Sequence, residues 1–269
     1  MRIRVAGILL PITLLGAAVA APAQAVPAVQ RSTTPVVLVA PAVHDVNQGD
    51  LFSVTVKVGA ARLAKTVQIQ AQTKDIYGKL EWTLLKTANV HAEATHVLKV
   101  MADGVDSERF RAVATYRDRK PVVSKAFAVT VWTWTDLSLI SSYYETFGIS
   151  SGAYSQFGMN GDQYIGWYTY DRSGMWEQRY TPGRHCKAFR GVFGVSDSSA
   201  DGSSAQFTVL TDETNVVYQS PTLVPGAVTD VQFDLALPYR LSIQARNTSP
   251  DGVLSYPAIG NPQLLCTGL

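Results

Sequence analysis

The sequence is poor in charge and in cysteine, and it has no lasting excess of charge of either sign. Of its 269 residues 16% are charged, with 23 basic side chains against 21 acidic ones. The two surplus cations are Arg2 and Arg4, so residues 26–269 carry 21 charges of each sign. Binding to nucleic acid through its phosphates needs a clear surplus of Lys and Arg, so this partner is not expected. A hydrophobic share of 46% argues equally against a disordered chain.

Long apolar runs are also scarce, and the one present lies at the start of the chain. Val5–Ala20 follows two arginines and precedes the small-x-small tripeptide Ala23–Ala25, the pattern of a cleaved export signal over residues 1–25. An uncleaved anchor is the alternative, but it would need roughly 20 apolar residues to span a bilayer. We therefore expect a secreted, extracellular protein that meets the membrane only through this transient signal.

The two cysteines, Cys186 and Cys266, form the one pair available for a disulfide. Export would place them in an oxidising compartment, where such a pair is oxidised. A zinc site would need more thiols or nearby histidines, and only His185 adjoins Cys186. We expect one disulfide, closing a loop of about 80 residues.

Short runs of β-branched and aromatic residues recur along the chain between clusters of Gly, Asn, Asp and Ser, and no long amphipathic helix is indicated. This pattern is typical of all-β sandwiches. After a linker at residues 26–34, it predicts seven strands within residues 35–134: Val36–Ala40, Leu51–Val58, Val67–Gln72, Glu81–Leu85, His96–Val100, Phe110–Tyr116 and Ala126–Trp132.

Seven short strands in this length predict an immunoglobulin-like (Ig-like) sandwich. Three stretches of the segment, Val67–Ala71, Trp82–Leu85 and Phe110–Tyr116, resemble the Ig-like domains of secreted bacterial proteins. That resemblance implies a spacer or docking module.

Residues 135–269 form a second predicted domain. A Gly-, Ser- and aromatic-rich region over 143–180 shows little hydrophobic alternation before Met175, and strands return from Cys186 onward, enough for a jelly-roll sandwich. Residues 26–134 hold 14 basic and 9 acidic side chains, or +5, whereas residues 135–269 hold 7 and 12, or −5. Such asymmetry indicates different partners for the two halves or mutual attraction between them.

Several motifs of the second half resemble the NPCBM-type domain, the novel putative carbohydrate-binding module. They are the run from Cys186 to Ser199, the strand Ala205–Glu213, the segment Val217–Ser220 and the strands around Val231–Asp234 and Leu241–Ile243. The resemblance implies a galactose-binding-like jelly roll that recognises glycans without catalysis. The last strand departs from the family, because Ala258–Cys266 has no tryptophan.

Aromatic residues concentrate in the region before Cys186: 11 of the 26 Phe, Trp and Tyr residues lie within residues 143–180. Aromatic rings stack on the apolar faces of sugars while Asp and Arg bond the hydroxyls, the combination of apolar bodies and placed polar groups that binding sites use. The candidate sugar contacts are Trp167, Tyr168, Tyr170, Asp171, Arg172 and Trp176, with Tyr168, Tyr170 and Asp171 preferred. The alternative is that alternate members, Trp167 or Tyr168 together with Trp176, belong to the core.

Three further motifs give only weak indications of a catalytic or metal site. Gly148–Gly152 matches G-x-S-x-G, but its flanks lack the strand and helix of a nucleophile elbow. His91 and His96 are five apart, not the four that place both on one helical face. Asp197 and Asp201 lie in turns that could hold a structural Ca²⁺, although a solvated turn is the simpler interpretation.

The sequence therefore predicts a secreted, non-catalytic protein that binds a glycan or a cell-surface polysaccharide and needs no cofactor. The alternative is a protein-interaction or adhesion module that uses the same aromatics, and a hydrolase is third.

Overall fold

The fold was analysed in a computed structural model, which describes residues 37–104, 106–172 and 174–268. The predicted export signal and the linker at residues 26–34 lie outside these described residues. Within them the chain forms twenty strands, two short 3-10 turns (Ala61–Leu63 and Leu137–Leu139) and no α-helix. The described residues also contain no helix long and apolar enough to cross a membrane.

The strands follow one another along the whole described chain. In chain order they are β1 (Val37–Pro41), β2 (Asp45–Asn47), β3 (Leu51–Val58), β4 (Ala64–Lys74), β5 (Leu80–Asn89), β6 (Thr95–Met101), β7 (Asp106–Tyr116), β8 (Val122–Val123), β9 (Phe127–Asp136), β10 (Ser142–Glu145), β11 (Ile149–Ser150), β12 (Gln156–Met159), β13 (Asp162–Thr169), β14 (Met175–Tyr180), β15 (Cys186–Val195), β16 (Ala205–Thr211), β17 (Asn215–Gln219), β18 (Val228–Asp234), β19 (Leu241–Asn247) and β20 (Pro257–Cys266).

The predicted all-β fold class is confirmed. Each of the seven strands predicted within residues 35–134 coincides with one of β1, β3–β7 and β9. The difference lies in residues 143–180, which the sequence predicts to be largely irregular. This region contains five strands, β10–β14. Four of them are short or bear aromatic side chains on both faces, so the apolar–polar alternation by which a strand is recognised in the sequence is clear only in β14, where Trp176, Gln178 and Tyr180 are buried and the residues between them are less so.

The first core lies between the sheet β1-β3-β6 and the strands β9-β7-β4-β5. The alternation of β3 explains its place, since Phe52, Val54, Val56 and Val58 are buried and the residues between them are not. Side chains that alternate in this way pack on one face of the sheet only. The ring of Phe110 lies 5.3 Å from that of Phe52 across this core.

The second core lies between the sheet β10-β14-β19-β16-β17 and the strands β13, β20, β15 and β18. It is rich in aromatic rings, and Phe193 meets Phe207 edge to face with their centroids 4.8 Å apart. At the open edge, the Tyr218 and Phe233 rings stack at 5.0 Å and connect β17 to β18. Each sandwich thus has its own buried centre.

One strand, β9, belongs to both sandwiches. Its first half pairs with β7, from Phe127 to Val131, and its second half pairs with β20, from Thr133 to Asp136. Both sandwiches lie in one compact unit of the described chain. The predicted domain boundary between residues 134 and 135 falls within this strand and stays a prediction.

Side chains from both halves also meet beside β9. The Lys187 ammonium lies 4.2 Å from the Trp132 ring centroid, and the Trp132 indole donates a hydrogen bond to Asp45. Burial lowers the pKa of Lys187, and the carboxylates of Asp45, Asp234 and Asp50 oppose this shift. These contacts fix β15 of the second sandwich against the first.

The predicted disulfide is confirmed. Cys186 at the start of β15 pairs with Cys266 at the end of β20, and both residues are buried. The two cysteines face each other in the strand register, so the bridge closes the end of the β15–β20 ladder next to Thr133 of β9.

Candidate functional site

The strand β13 sorts its aromatic side chains onto opposite faces. Tyr164 and Tyr168 point away from the second core, and Tyr170 continues their alternation just beyond the strand, whereas Trp167 lies in the core with no exposed surface. Gly166 has a φ of 153°, and a side chain there would overlap with the Ile259 carbonyl. The outward-facing positions 164, 168 and 170 therefore carry tyrosines, and position 166 between them carries no side chain.

These tyrosines and two phenylalanines form one continuous band, which we call the aromatic strip: Phe147, Tyr170, Tyr168, Phe157 and Tyr164. Successive ring centroids are 6.1, 6.4, 5.3 and 6.3 Å apart. Phe147 is 79% exposed and Tyr170 is 51% exposed, whereas Phe157 is buried beneath Tyr164 and Tyr168. The strip thus offers an exposed aromatic surface at one end and a supported, half-buried one at the other.

The structure separates the six predicted sugar contacts. Trp167 and Trp176 are fully buried in the second core, so their rings offer no face to a ligand and they lie outside the strip. The Trp176 indole donates a 2.6 Å hydrogen bond to Asp171, which holds that half-buried carboxylate against the core. Arg172 is exposed in the following turn. Only Tyr168 and Tyr170 come together on one accessible surface.

A polar groove lies on the same outer face, across β15, β18 and β20. It has a volume of about 640 Å³ and is lined by Arg190, Gly191, Val192, Asp230, Val231, Gln232, Gly260, Asn261 and Gln263. The strand register places Arg190 opposite both Gln232 and Gln263. The lining thus combines two glycines and two valines with amide, carboxylate and guanidinium groups.

Arg190 is held in place within this groove. Its Nε donates a 2.7 Å hydrogen bond to Oε1 of Gln263, and its guanidinium lies 4.2 Å from the Trp134 ring centroid. Stacking and a hydrogen bond together fix a planar guanidinium, which retains further N–H donors for a ligand. No ion pair joins Arg190 to Asp230 within the described residues.

Tyr164 connects the strip to the groove. Its ring lies on Gly260, one of the groove glycines, so closely that a Cβ at position 260 would overlap with it. Burial, together with the nearby carboxylates of Asp162 and Asp230, raises the pKa of the Tyr164 hydroxyl. The phenol therefore stays protonated and remains a hydrogen-bond donor beside the acceptor Asp230.

Sequence reasoning missed most of this surface. Phe147, Phe157 and Tyr164 belong to the aromatic cluster of residues 143–180 but were not among the predicted contacts. The groove residues come from three strands far apart in sequence, and no local motif connects them. One local pattern does point to the groove face, namely the polar residues at alternate positions of β18. Asp230, Gln232 and Asp234 are exposed. Val231 and Phe233, which lie between them, pack against the core.

The outer face of the other sheet carries a hydrogen-bonded carboxylate. Burial disfavours the charged form of Glu177, but hydrogen bonds from Arg179, Ser242 and Gln244 outweigh it and lower the pKa of Glu177 to about 2. Arg179 also lies over the Tyr144 ring at 4.8 Å. Because all of its neighbours are donors, Glu177 serves to fix this sheet face.

The remaining motifs show no catalytic arrangement in the described residues. Ser150 of the G-x-S-x-G motif lies in β11, and its hydroxyl is 2.6 Å from the Ser155 hydroxyl. Asp197 and Asp201 are exposed, and Asp197 accepts a hydrogen bond from the Gly161 amide. No group of three or more His, Cys, Asp or Glu residues suited to a metal ion occurs in the described part of the chain, and the Ca²⁺ site stays a prediction without a ligand cluster.

No family model and no curated protein matches the chain, so the NPCBM resemblance stays a prediction. Among solved structures, the chain is similar to the CBM51-2 and INT domains of Clostridium perfringens ZmpB, with 14% identity, a TM-score of 0.40 and coverage of 61% of this chain and 38% of that one. It is also similar to CBM51 from Clostridium perfringens GH95 in complex with methyl-galactose, with 18% identity, a TM-score of 0.39 and coverage of 49% and 99%.

A SusE-like protein is a further structural neighbour, with 12% identity, a TM-score of 0.30 and coverage of 87% of this chain and 97% of that one. The chain spans less than half the length of the ZmpB structure named above. All three likenesses are distant. The chemistry of the aromatic strip and the polar groove therefore decides which function we propose.

Proposed function

We propose that the chain is an exported, non-catalytic protein that binds a poly- or oligosaccharide on the outer face of its second sandwich. The observation that carries the proposal is the junction at Tyr164, where the aromatic strip meets the polar groove. Aromatic rings supply flat apolar surfaces for sugar rings, and a few fixed polar groups supply orientation.

The groove suits an uncharged ligand that is rich in hydroxyl groups. Arg190 and Asp230 contribute one charge of each sign, so the groove has no net preference for a cation or an anion. Gln232, Asn261 and Gln263 each carry both a donor and an acceptor. Hydroxyl groups, which also donate and accept, match such a lining better than a carboxylate or an ammonium would.

The length of the strip favours a chain of several sugars. From Phe147 to Tyr164 the strip contains five rings at spacings of 5.3 to 6.4 Å. Phe157 is buried, so four of these rings are accessible. A single sugar ring would cover one or two of the four and leave the others uncovered. We therefore propose that successive units of one glycan contact the strip and the groove together.

The test is affinity electrophoresis of the purified protein through gels that contain soluble polysaccharides, with three variants. Tyr170→Ala removes a ring of the strip, and Gln232→Ala removes a polar group of the groove. Tyr239→Ala is the matched control, because Tyr239 is 51% exposed like Tyr170 but lies outside the strip. The dependence of retardation on polysaccharide concentration gives the affinity. We expect roughly tenfold weaker affinity for each of the first two variants, the effect of about 1.4 kcal/mol, and no change for the control.

Two results would contradict the proposal. If no neutral polysaccharide retards the parent protein, glycan binding fails, and the alternative of a protein-binding adhesion module takes its place. If a polysaccharide does bind but Tyr170→Ala and Gln232→Ala behave like Tyr239→Ala, the ligand lies elsewhere on the molecule. Circular dichroism of each variant separates loss of binding from loss of folding.

A further inference from the structure

The hairpin that joins β4 to β5 presents apolar side chains to solvent at its turn. Ile76 is 91% exposed and Tyr77 is 87% exposed. Hydrogen bonds define the turn: Asp75 Oδ1 accepts from the amides of Tyr77 and Lys79, and the Gly78 amide donates to the Asp75 carbonyl. Turns favour Gly, Asn, Asp, Ser and Pro at such positions. The turn geometry therefore gives no reason for an isoleucine and a tyrosine there.

The apolar surface continues from the turn along one face of β5. Leu80, Trp82 and Leu84 pair with Lys74, Gln72 and Gln70 of β4, whose side chains point away from the first core. Leu80 is 55% exposed and Leu84 is 52% exposed. Contiguous exposed apolar side chains of this kind mark an interaction surface.

Cations surround these apolar side chains. Lys74 lies opposite Leu80 in the strand register, and the Arg111 guanidinium lies 4.2 Å from the Trp82 ring centroid. Arg109 reaches Gln72 on the same face. Three carboxylates lie nearby. Glu81 lies on the opposite face, where it is opposite Thr73 and pairs with Lys79, and Glu108 is buried. Asp75 lies in the turn itself, where its carboxylate accepts the two amide hydrogen bonds already described. This face of the hairpin is therefore basic as well as apolar.

We propose that this hairpin face, with Ile76 and Tyr77 at its tip, docks on the surface of a membrane that contains anionic lipids. Tyr, Trp, Lys and Arg are the residues that proteins place at the boundary between headgroups and acyl chains. Basic side chains are attracted to anionic headgroups, while the tip side chains gain from entering the apolar layer. An anionic polymer in water would satisfy the cations but would leave Ile76 and Tyr77 exposed.

Sedimentation with lipid vesicles tests this proposal on the purified protein. Vesicles of phosphatidylcholine alone are compared with an equal mixture of phosphatidylcholine and phosphatidylglycerol. We expect binding to the mixed vesicles, and roughly tenfold weaker binding for the double variant Ile76→Ser/Tyr77→Ser. Lys74→Gln should weaken binding about fivefold. Tyr154→Ser is the control, because Tyr154 is 94% exposed in the other sandwich, and it should bind like the parent.

A second measurement places the tip in the bilayer directly. Tyr77→Trp adds an indole at the turn, and its fluorescence should shift to the blue when mixed vesicles are added. Failure of the parent to bind the mixed vesicles overturns the proposal, as does undiminished binding by the tip variant. Binding to dextran sulfate that the tip variant retains, without any fluorescence shift on vesicles, would instead assign this face to a soluble anionic polymer. None of these outcomes depends on whether the strip binds a glycan.

Discussion

Reduction of the Cys186–Cys266 disulfide is expected to destabilise the second sandwich strongly. The bridge spans 80 residues of sequence, and these residues include the whole of β16 to β19. In the chain-entropy model, a closed loop of this size removes about 15 cal/mol/K of entropy from the unfolded chain, or about 4.5 kcal/mol at 25 °C. The free energy of unfolding should fall by about this amount when the bridge is reduced.

The assay is urea unfolding of the native protein with and without a phosphine reductant. Tryptophan fluorescence follows the second core through Trp167 and Trp176, which are both buried there. The parent with reduced thiols isolates the effect of the cross-link. The double variant Cys186→Ala/Cys266→Ala adds the loss of two buried sulfur atoms, so it should be less stable still.

A small effect would refute this reasoning. If reduction lowers the free energy of unfolding by less than about 1 kcal/mol, the unfolded chain is already restricted between these cysteines, and the loop-entropy value does not apply. A change in the m-value on reduction would identify that residual structure, because m follows the surface exposed on unfolding.

Two further perturbations concern the outer faces of the second sandwich. Gly260→Ala should displace the Tyr164 ring, since the added methyl group occupies its position, and glycan affinity should fall while Gly202→Ala, at a turn with open space around it, serves as a control for stability alone. The Glu177 pKa of about 2 lies below the usual 4.5, so the stability gained from its ionised form is full above about pH 5 and is lost as the pH falls towards 2. Glu177→Gln should therefore flatten the acid limb of a plot of melting temperature against pH, and an unchanged limb would contradict the assignment.

The sequence predicts this fold well where a strand has one solvent-exposed face and one buried face. Leu51–Val58 is the clearest case, because polar and apolar residues alternate throughout and the predicted bounds agree with β3. In β13 both faces are aromatic, so the periodicity shows that Trp167 and Tyr168 point in opposite directions but not which of them is buried. Only packing against Phe207 and Phe193 settles that Trp167 lies inside.

The candidate site was less predictable than the fold. Tyr168 and Tyr170 could be found from local composition, since they lie two residues apart beside a cluster of other rings. Arg190, Gln232 and Gln263 could not, because their proximity depends on the pairing of β15 with β18 and β20. Strand pairing over such sequence distances follows from the whole topology and not from any short motif.

The shared strand β9 determines how the protein would behave under tension. A pull on one sandwich reaches the other through the backbone hydrogen bonds of β9 to β7 and to β20, with no flexible spacer between the two sets of bonds. If the second sandwich then yielded, the disulfide would keep residues 187–265 from straightening, and an 80-residue loop represents roughly 270 Å of extended chain. If the hairpin were bound to a membrane and the groove to a glycan, the protein would therefore extend little under force before one of these two contacts dissociated.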